Sequence, residues 1–461
     1  MKTPSIWLFL APLAFLNAAP ALNTAKPEAL EPAVTFPPDV PDRIDLANAI
    51  TYALEHNYSI QQARERIKEQ EGLIVEVKSR AIPQVGLSSS YTKMEQDLVL
   101  GGGSDQNWSI ALEARQALYA GGGISAALDA QKISREAAVL DLKAVINNAL
   151  LEVRTRYYDV LLAREQITVQ EQNVQLLRQQ LQDAKNRLEA GTISNFEVIR
   201  AGVELANAQP EFIKARNRKR TSVDLLRQAI GYTNITPENL RKIPEFIGTL
   251  DFVPVSYDLQ KAIDTARSNR PDLLRLDRLA KARESGVRFE QSGYRPTLDL
   301  IGAYRVDKKP TSESFRESNS GLLVGVVSNW AIFDGRSTAG KVAQARSQLR
   351  QSKLSTQEQE LAVEVQVRTA LSALQEAAEL AEAAQKVVAQ AEESLRLADA
   401  RYAAGSATQL DVLQARVSLT QSRTNQLAAN YSHNVALATV RRALGEPDAY
   451  APETTNNSAA P

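Results

Sequence analysis

Cysteine is absent from the 461 residues, which excludes disulfides, thiolate metal sites, thiol nucleophiles and an N-terminal lipidated cysteine. Histidine is nearly absent too: His56 and His433 stand in unrelated contexts and make no ligand pair. Neither sign of charge dominates, with 54 Lys+Arg against 54 Asp+Glu, so nothing marks a nucleic-acid binder, which carries a basic excess. Aromatics make up only 6% of the chain. No segment after the N-terminus reaches 18 consecutive apolar residues, so no transmembrane helix is expected, and any membrane crossing must be made by β-strands. Gly101-Gly102-Gly103 lacks the Lys-Ser/Thr that would follow in a phosphate loop, and no nucleophile–base set or metal cluster is apparent. No cofactor and no enzymatic activity are expected.

What is abundant is Ala, Gln, Leu, Glu and Arg, a composition suited to long helices. Lys2, the apolar run Ile6 to Leu16 and Ala19-Pro20-Ala21 fit a secretory signal peptide over residues 1–21, followed by an N-terminal extension over 22–45.

The organising feature is an internal duplication. At an offset of 213, Leu46, Ala49 and Ile50 match Leu259, Ala262 and Ile263, Pro83 matches Pro296, and Tyr91 matches Tyr304. One residue is then gained, and Gly121, Arg187, Gly191, Ala201 and Gly231 match Gly335, Arg401, Gly405, Ala415 and Gly445. Repeat 1 covers 46–231 and repeat 2 covers 259–445, with a connector at 232–258 and a disordered tail expected at 446–461.

Each repeat reads as helix, two strands, long helix, turn, helix. The first helix is expected near 46–81, the long helices at 124–188 and 338–402, and the returning helices at 196–230 and 409–444. Val139, Ile146, Val153, Val160, Ile167, Val174, Leu181 and Leu188 recur every seven residues; Val367, Leu374, Ala381, Val388, Leu395 and Tyr402 do the same in repeat 2. A second, largely alanine track lets neighbouring helices approach closely. A strict heptad imposes a left-handed coiled coil. Ser194-x-x-Glu197 and Thr408-x-x-Asp411 predict capping boxes after the turns at Gly191 and Gly405. Arg187 and Arg401 are placed to face the C-terminal dipoles of their helices.

Four segments near 83–92, 107–119, 296–306 and 321–333 alternate with period two over the length a tilted membrane strand needs. Trp108, Ile110, Leu112 and Ala114 oppose Ser109, Ala111, Glu113 and Arg115; Leu298, Leu300, Tyr304 and Val306 oppose Thr297, Asp299 and Arg305. The expectation is that the apolar sets face lipid, that Glu113, Arg115, Asp299 and Arg305 face a wet lumen, and that Tyr91, Trp108, Tyr304 and Trp330 form interfacial girdles. Four strands cannot close a membrane barrel, so copies must share one: two copies supply eight strands and three supply twelve. The competing reading is a periplasmic coiled-coil scaffold or adaptor without a pore.

The repeat openings, the turns Leu118-Tyr-Ala-Gly-Gly122 and Ile332-Phe-Asp-Gly335, and the tips around Arg187–Ala201 and Arg401–Ala415 together resemble the TolC-like outer-membrane efflux protein family over nearly the whole chain. The resemblance implies a homotrimer in the outer-membrane lipid of a Gram-negative bacterium, with a twelve-stranded barrel continued by a periplasmic α-barrel. It also implies a passive exit duct for a tripartite efflux pump or type I secretion system. A periplasmic adaptor and an inner-membrane transporter would dock to it, and untwisting of the tip helices would open it. By position, Asp411 and Gln414 fall at the pore constriction, with Glu197 the repeat-1 counterpart of Asp411. Arg187, Gly191, Thr192, Arg401, Tyr402, Gly405 and Ser406 fall at the tip turns that would meet the adaptor.

Overall fold

A computed structural model of the chain describes residues 43–95, 104–232, 244–309, 312 and 314–447. The expected signal peptide, the extension up to residue 42, the residues at 96–103 and the tail beyond 447 lie outside the described residues.

Two helices of 67 residues, α3 (Gly123–Glu189) and α7 (Ser337–Ala403), form the long axis of each repeat. At 1.5 Å per residue each runs about 100 Å. They return through α4 (Asn195–Ile230) and α8 (Gln409–Leu444), each of 36 residues. Ala149, Val153, Val160, Ala163, Val174, Leu177 and Ala184 bury one seam of α3, and Val363, Val367, Ala370, Leu374, Ala377, Ala381, Val388 and Ala391 bury the corresponding seam of α7. The spacing of three and four is what keeps such a seam on one side of a supercoiled helix.

The first helix of each repeat is not continuous, contrary to the reading of one helix over 46–81. It divides into α1 (Leu46–His56) and α2 (Tyr58–Ser79), and in repeat 2 into α5 (Leu259–Asn269) and α6 (Pro271–Gln291). Asn57 causes the first break. Its backbone is extended, its Oδ1 accepts from the N–H groups of Ser59 and Ile60, and its Nδ2 donates to the Ala229 carbonyl at 2.7 Å. It therefore ends one helix, caps the next and ties both to the end of α4. In repeat 2, Pro271 at the first position of α6 sets the same break.

The helices form one layer with two free borders. Near the turn end the neighbours run α4, α3, α8, α7; near the strand end they run α2, α3, α6, α7. Between these levels a parallel pair, β1 (Arg43–Ile44) with β4 (Glu245–Phe246), lies against α3. The Tyr157 hydroxyl donates to the Ile247 carbonyl beside that pair, and Arg164 Nη1 donates to the Phe246 carbonyl at 3.1 Å. Pairing between the chain's extension and its connector carried no sequence signal, because two-residue strands have no periodicity.

Four further strands, β2 (Gln84–Lys93), β3 (Gln106–Ala120), β5 (Thr297–Lys308) and β6 (Ser318–Asn329), make an antiparallel sheet in the order β2-β3-β5-β6. The last lies earlier than the expected 321–333. Trp330 stands beyond it, with its indole N–H donating to the Tyr294 carbonyl at 3.2 Å. A bulge between Ala117 and Tyr119 interrupts β3 shortly before it passes into α3.

Candidate functional site

Two regions gather the side chains of interest: the sheet and the helical turns at its far end. In the sheet, register sorts the residues onto two faces. Glu113 stands opposite Gly86 and Ala303, Arg115 opposite Gln84 and Ile301, and Asp299 opposite Ala117, which puts these groups and Arg305 on one face. They are joined in two diagonal ion pairs, Arg115 to Asp299 at 2.6 Å and Arg305 to Glu113 at 3.6 Å. The Asp299 side chain is buried, and Arg115 is its partner.

The other face carries Val85, Leu87, Tyr91, Ile110, Leu112, Leu300, Tyr304, Leu322, Val324 and Val326, all exposed, with Leu322 at 74% and Leu87 at 73%. Soluble surfaces rarely leave a contiguous apolar face of this extent open. β6 departs from simple alternation: Leu323 and Val327 fall on the charged face, opposite Ala303 and Asp299. Both outer strands, β2 and β6, are paired on one side only. Among the described residues no helix is long and apolar enough to cross a membrane.

At the turn end, α3 closes on Gly191 (φ +73°) and α7 on Gly405 (φ +73°), the left-handed conformation that ends a helix without a Cβ clash. The Thr192 N–H and hydroxyl both donate to the Arg187 carbonyl, at 3.0 and 2.9 Å, and Ser406 does the same to Arg401 at 2.8 and 3.1 Å. These residues lock the turns, a role that the sequence reading had left to the glycines.

The second repeat carries a complete capping box. Asp411 Oδ2 accepts from the Thr408 N–H at 2.7 Å and the Thr408 hydroxyl at 2.8 Å, while the Asp411 N–H donates back to that hydroxyl. The backbone and side-chain donors of Thr408, then the nearby Arg401, hold the Asp411 carboxyl below the ordinary aspartate value. The first repeat does not repeat this. Ser194 is the N-cap of α4, but its side chain makes no capping bond, so the expected Ser194–Glu197 box is not formed. Glu197 is half-buried, whereas Asp411 and Gln414 are exposed and, at three residues apart, share a helix face.

Arg187 turns away from its helix end. Its Nη1 donates to the Tyr402 hydroxyl at 2.8 Å, and the guanidinium lies 5.0 Å from that ring's centroid, joining the tips of the two repeats. Arg401 faces its own turn, 3.5 Å from the Ser406 carbonyl. Arg416, which sequence reasoning missed, reaches Asp399 on α7 at 3.6 Å and Gln180 on α3 at 3.2 Å. An arginine one residue past an alanine of the seam, bordered by two helices, is the signal that could have found it.

The family model described as outer membrane efflux protein matches residues 49–232 and again 262–446, once per repeat. The chain belongs to the outer membrane efflux protein family. An outer membrane efflux protein of this kind is a non-enzymatic transport component, a TolC-type channel. Its relatives include Protein CyaE of Bordetella pertussis, 25% identical over 77% of this chain and 75% of the relative. Outer membrane protein TolC of Escherichia coli is 25% identical over 81% and 76%. The cobalt-zinc-cadmium resistance protein CzcC of Cupriavidus metallidurans is 26% identical over 89% and 92%. Among solved structures, the Campylobacter jejuni CmeC outer membrane channel superposes with a TM-score of 0.74 at 16% identity, covering 87% of this chain and 85% of that one, which shows a common mainly helical fold with a small sheet.

Proposed function

We propose that three copies of this efflux protein close into a duct through the outer membrane, with the sheets forming a twelve-stranded barrel and the helices a periplasmic tunnel. The observation that carries this is the sheet: one bare apolar face, one charged face and two unpaired edges. Its strands alternate in direction along β2-β3-β5-β6, so β6 of one copy meets β2 of the next antiparallel, and the ring closes with an even strand number. The apolar face then meets lipid. Glu113, Arg115, Asp299 and Arg305 line the water-filled side, where backbone and charge find polar company. A pore-free scaffold leaves that apolar face without a purpose.

At the other end the tips converge on the axis. Asp411, with Gln414 one turn on, faces the constriction, and Glu197 stands nearby from the first repeat. Arg187, Gly191, Thr192, Arg401, Tyr402, Gly405 and Ser406 present the surface on which a periplasmic adaptor docks, beneath an inner-membrane transporter that supplies the energy. Loosening the Arg187–Tyr402 contact lets the tip helices swing outward. Cargo is chosen by the transporter; the metals in the name of the Cupriavidus relative are a property of that protein.

The test is reconstitution. Protein purified from outer membranes, examined by native mass spectrometry and in planar bilayers, is expected to give a trimer mass and discrete conductance steps. A protein washed from membranes by carbonate as a monomer, with no conductance, defeats the reading.

A further inference from the structure

α4 carries two heptad tracks on different sides. Ala201, Ala208, Ala215, Ser222 and Ala229 are buried on the first, which faces α3. The second, Ile199, Val203, Ala206, Pro210, Ile213, Asn217 and Arg220, is exposed, with Ile213 at 63%. Its repeat counterpart behaves differently. Leu413 on α8, the equivalent of Ile199, is buried against Val174 and Leu177 of α3. On α8, where the chain supplies the neighbouring long helix, every counterpart of the track except Val417 is buried or half-buried; on α4, where it does not, every position is bare. The missing neighbour of α4 is therefore α7 of a second copy, whose own free side shows Leu380, Val387 and Leu397.

The duplication also fixes the level at which the two would meet. In an antiparallel pair the residue numbers at one level have a near-constant sum. Within the chain it is 596 for Arg416 with Gln180, and 590 for Tyr431 with Asp159 and for Arg442 with Asn148. The repeat offset cancels between α8–α3 and α4–α7, so the same window applies between copies. Arg220 with Glu376 gives 596, and Lys214 with Glu379 and Ile213 with Leu380 each give 593. All six side chains are exposed. Arg220 and Glu376 have no ion-pair partner among the described residues. Lys214 pairs only with Glu211 of its own helix, at 2.8 Å, and Glu379 accepts only from Gln375. The neighbouring Arg216 and Arg218 are engaged within the chain, on Phe212 and Gln166.

We propose that Lys214 and Arg220 of one copy and Glu376 and Glu379 of the next form an ionic clamp between protomers, beside an apolar contact of Ile213 on Leu380. The clamp rests on the assembly proposed above and specifies its helical contact. Opposite charges at this height also favour one vertical register, because a slip of one heptad moves Arg220 from Glu376 to Ala383 and sets Lys214 against the like charge of Lys386.

The chain's lack of cysteine makes the test direct. Mild oxidation of the Ile213→Cys/Leu380→Cys protein in membranes should give a disulfide-linked ladder ending at a trimer on non-reducing gels, and neither single variant should. Adding Arg220→Glu should lower the cross-linked fraction about tenfold at low salt, and Glu376→Arg added to it should restore the yield. A protein that is trimeric by native mass yet fails to cross-link overturns the clamp and leaves the assembly standing. Cross-linking indifferent to charge reversal also overturns the clamp. A monomeric mass defeats the assembly itself.

Discussion

Gly231 and Gly191 hold similar left-handed backbones, with φ of +75° and +73°, yet they answer to different constraints. A Cβ on Gly231 would come within 2.3 Å of the His56 carbonyl at the α1–α2 break, whereas nothing lies within 4 Å of one on Gly191. Gly191→Ala is expected to cost about 1 kcal/mol, the left-handed strain alone. Gly231→Ala should cost about 3 kcal/mol or more, because backbone has to move as well. Urea unfolding of the two variants compares them directly; equal losses would refute the close approach. Both glycines were legible from the repeat register, but the backbone lying across Gly231 was not, since it comes from a segment far away in sequence. His433 carries a second lesson at this scale. It is buried, edge-on to Phe252 at 4.7 Å, and neither ring nitrogen has a hydrogen-bond partner among the described residues. Burial lowers its pKa from the ordinary 6.5, so the folded protein keeps it neutral where the unfolded chain takes up a proton. Stability is therefore expected to fall as pH drops below about 6.5, and His433→Leu should flatten that slope in melting curves between pH 5 and 7, roughly the range where an ordinary histidine titrates.

Elements were legible where their periodicity was clean. In β3 a single alternation separates apolar from charged positions between Trp108 and Arg115; β2 and β5 follow it except at their ends, where Lys93 and Lys308 fall on the apolar face. In β6 the runs Leu322-Leu323-Val324 and Val326-Val327 are apolar on both sides, and only the register with β5 assigns each to a face. The helix break at Asn57 was missed because asparagine inside a helical pattern is tolerated, and its capping bonds depend on the Ala229 carbonyl of another helix. Capping boxes read from spacing were right once and wrong once: Thr408 and Asp411 form theirs, while Ser194 and Glu197 share the pattern without the bonds. The assignment of faces makes a prediction proper to the sheet. Leu87→Lys puts a charge on the face proposed for lipid and should cost about 2–4 kcal/mol in barrel stability, seen as lost assembly. Ser88→Lys, one residue on and on the other face, should assemble normally. Equal tolerance of the two would refute the orientation of the sheet.

For the whole molecule, duplication was the most legible property and closure the least. A repeat leaves its marks in one chain, but a second copy leaves only bare seams and unpaired strand edges. The proposed three-fold closure would bring three copies of Asp411 around one axis, and its consequence depends on the local bonds. Because Thr408 donates to the carboxylate from its backbone and hydroxyl, the charge persists as the pH falls through the ordinary aspartate value of 3.8. A ring of carboxylates at a constriction favours cations. Asp411→Asn, which keeps an acceptor for the cap, is expected to lower cation selectivity several-fold in single-channel recordings at neutral pH. Thr408→Ala keeps the carboxylate but removes the hydroxyl donor, so selectivity should be near wild type at neutral pH and lost at a higher pH than in the unmodified channel. Wild-type selectivity in Asp411→Asn would place the constriction elsewhere, whereas a normal pH profile in Thr408→Ala would show that the hydroxyl does not hold the charge.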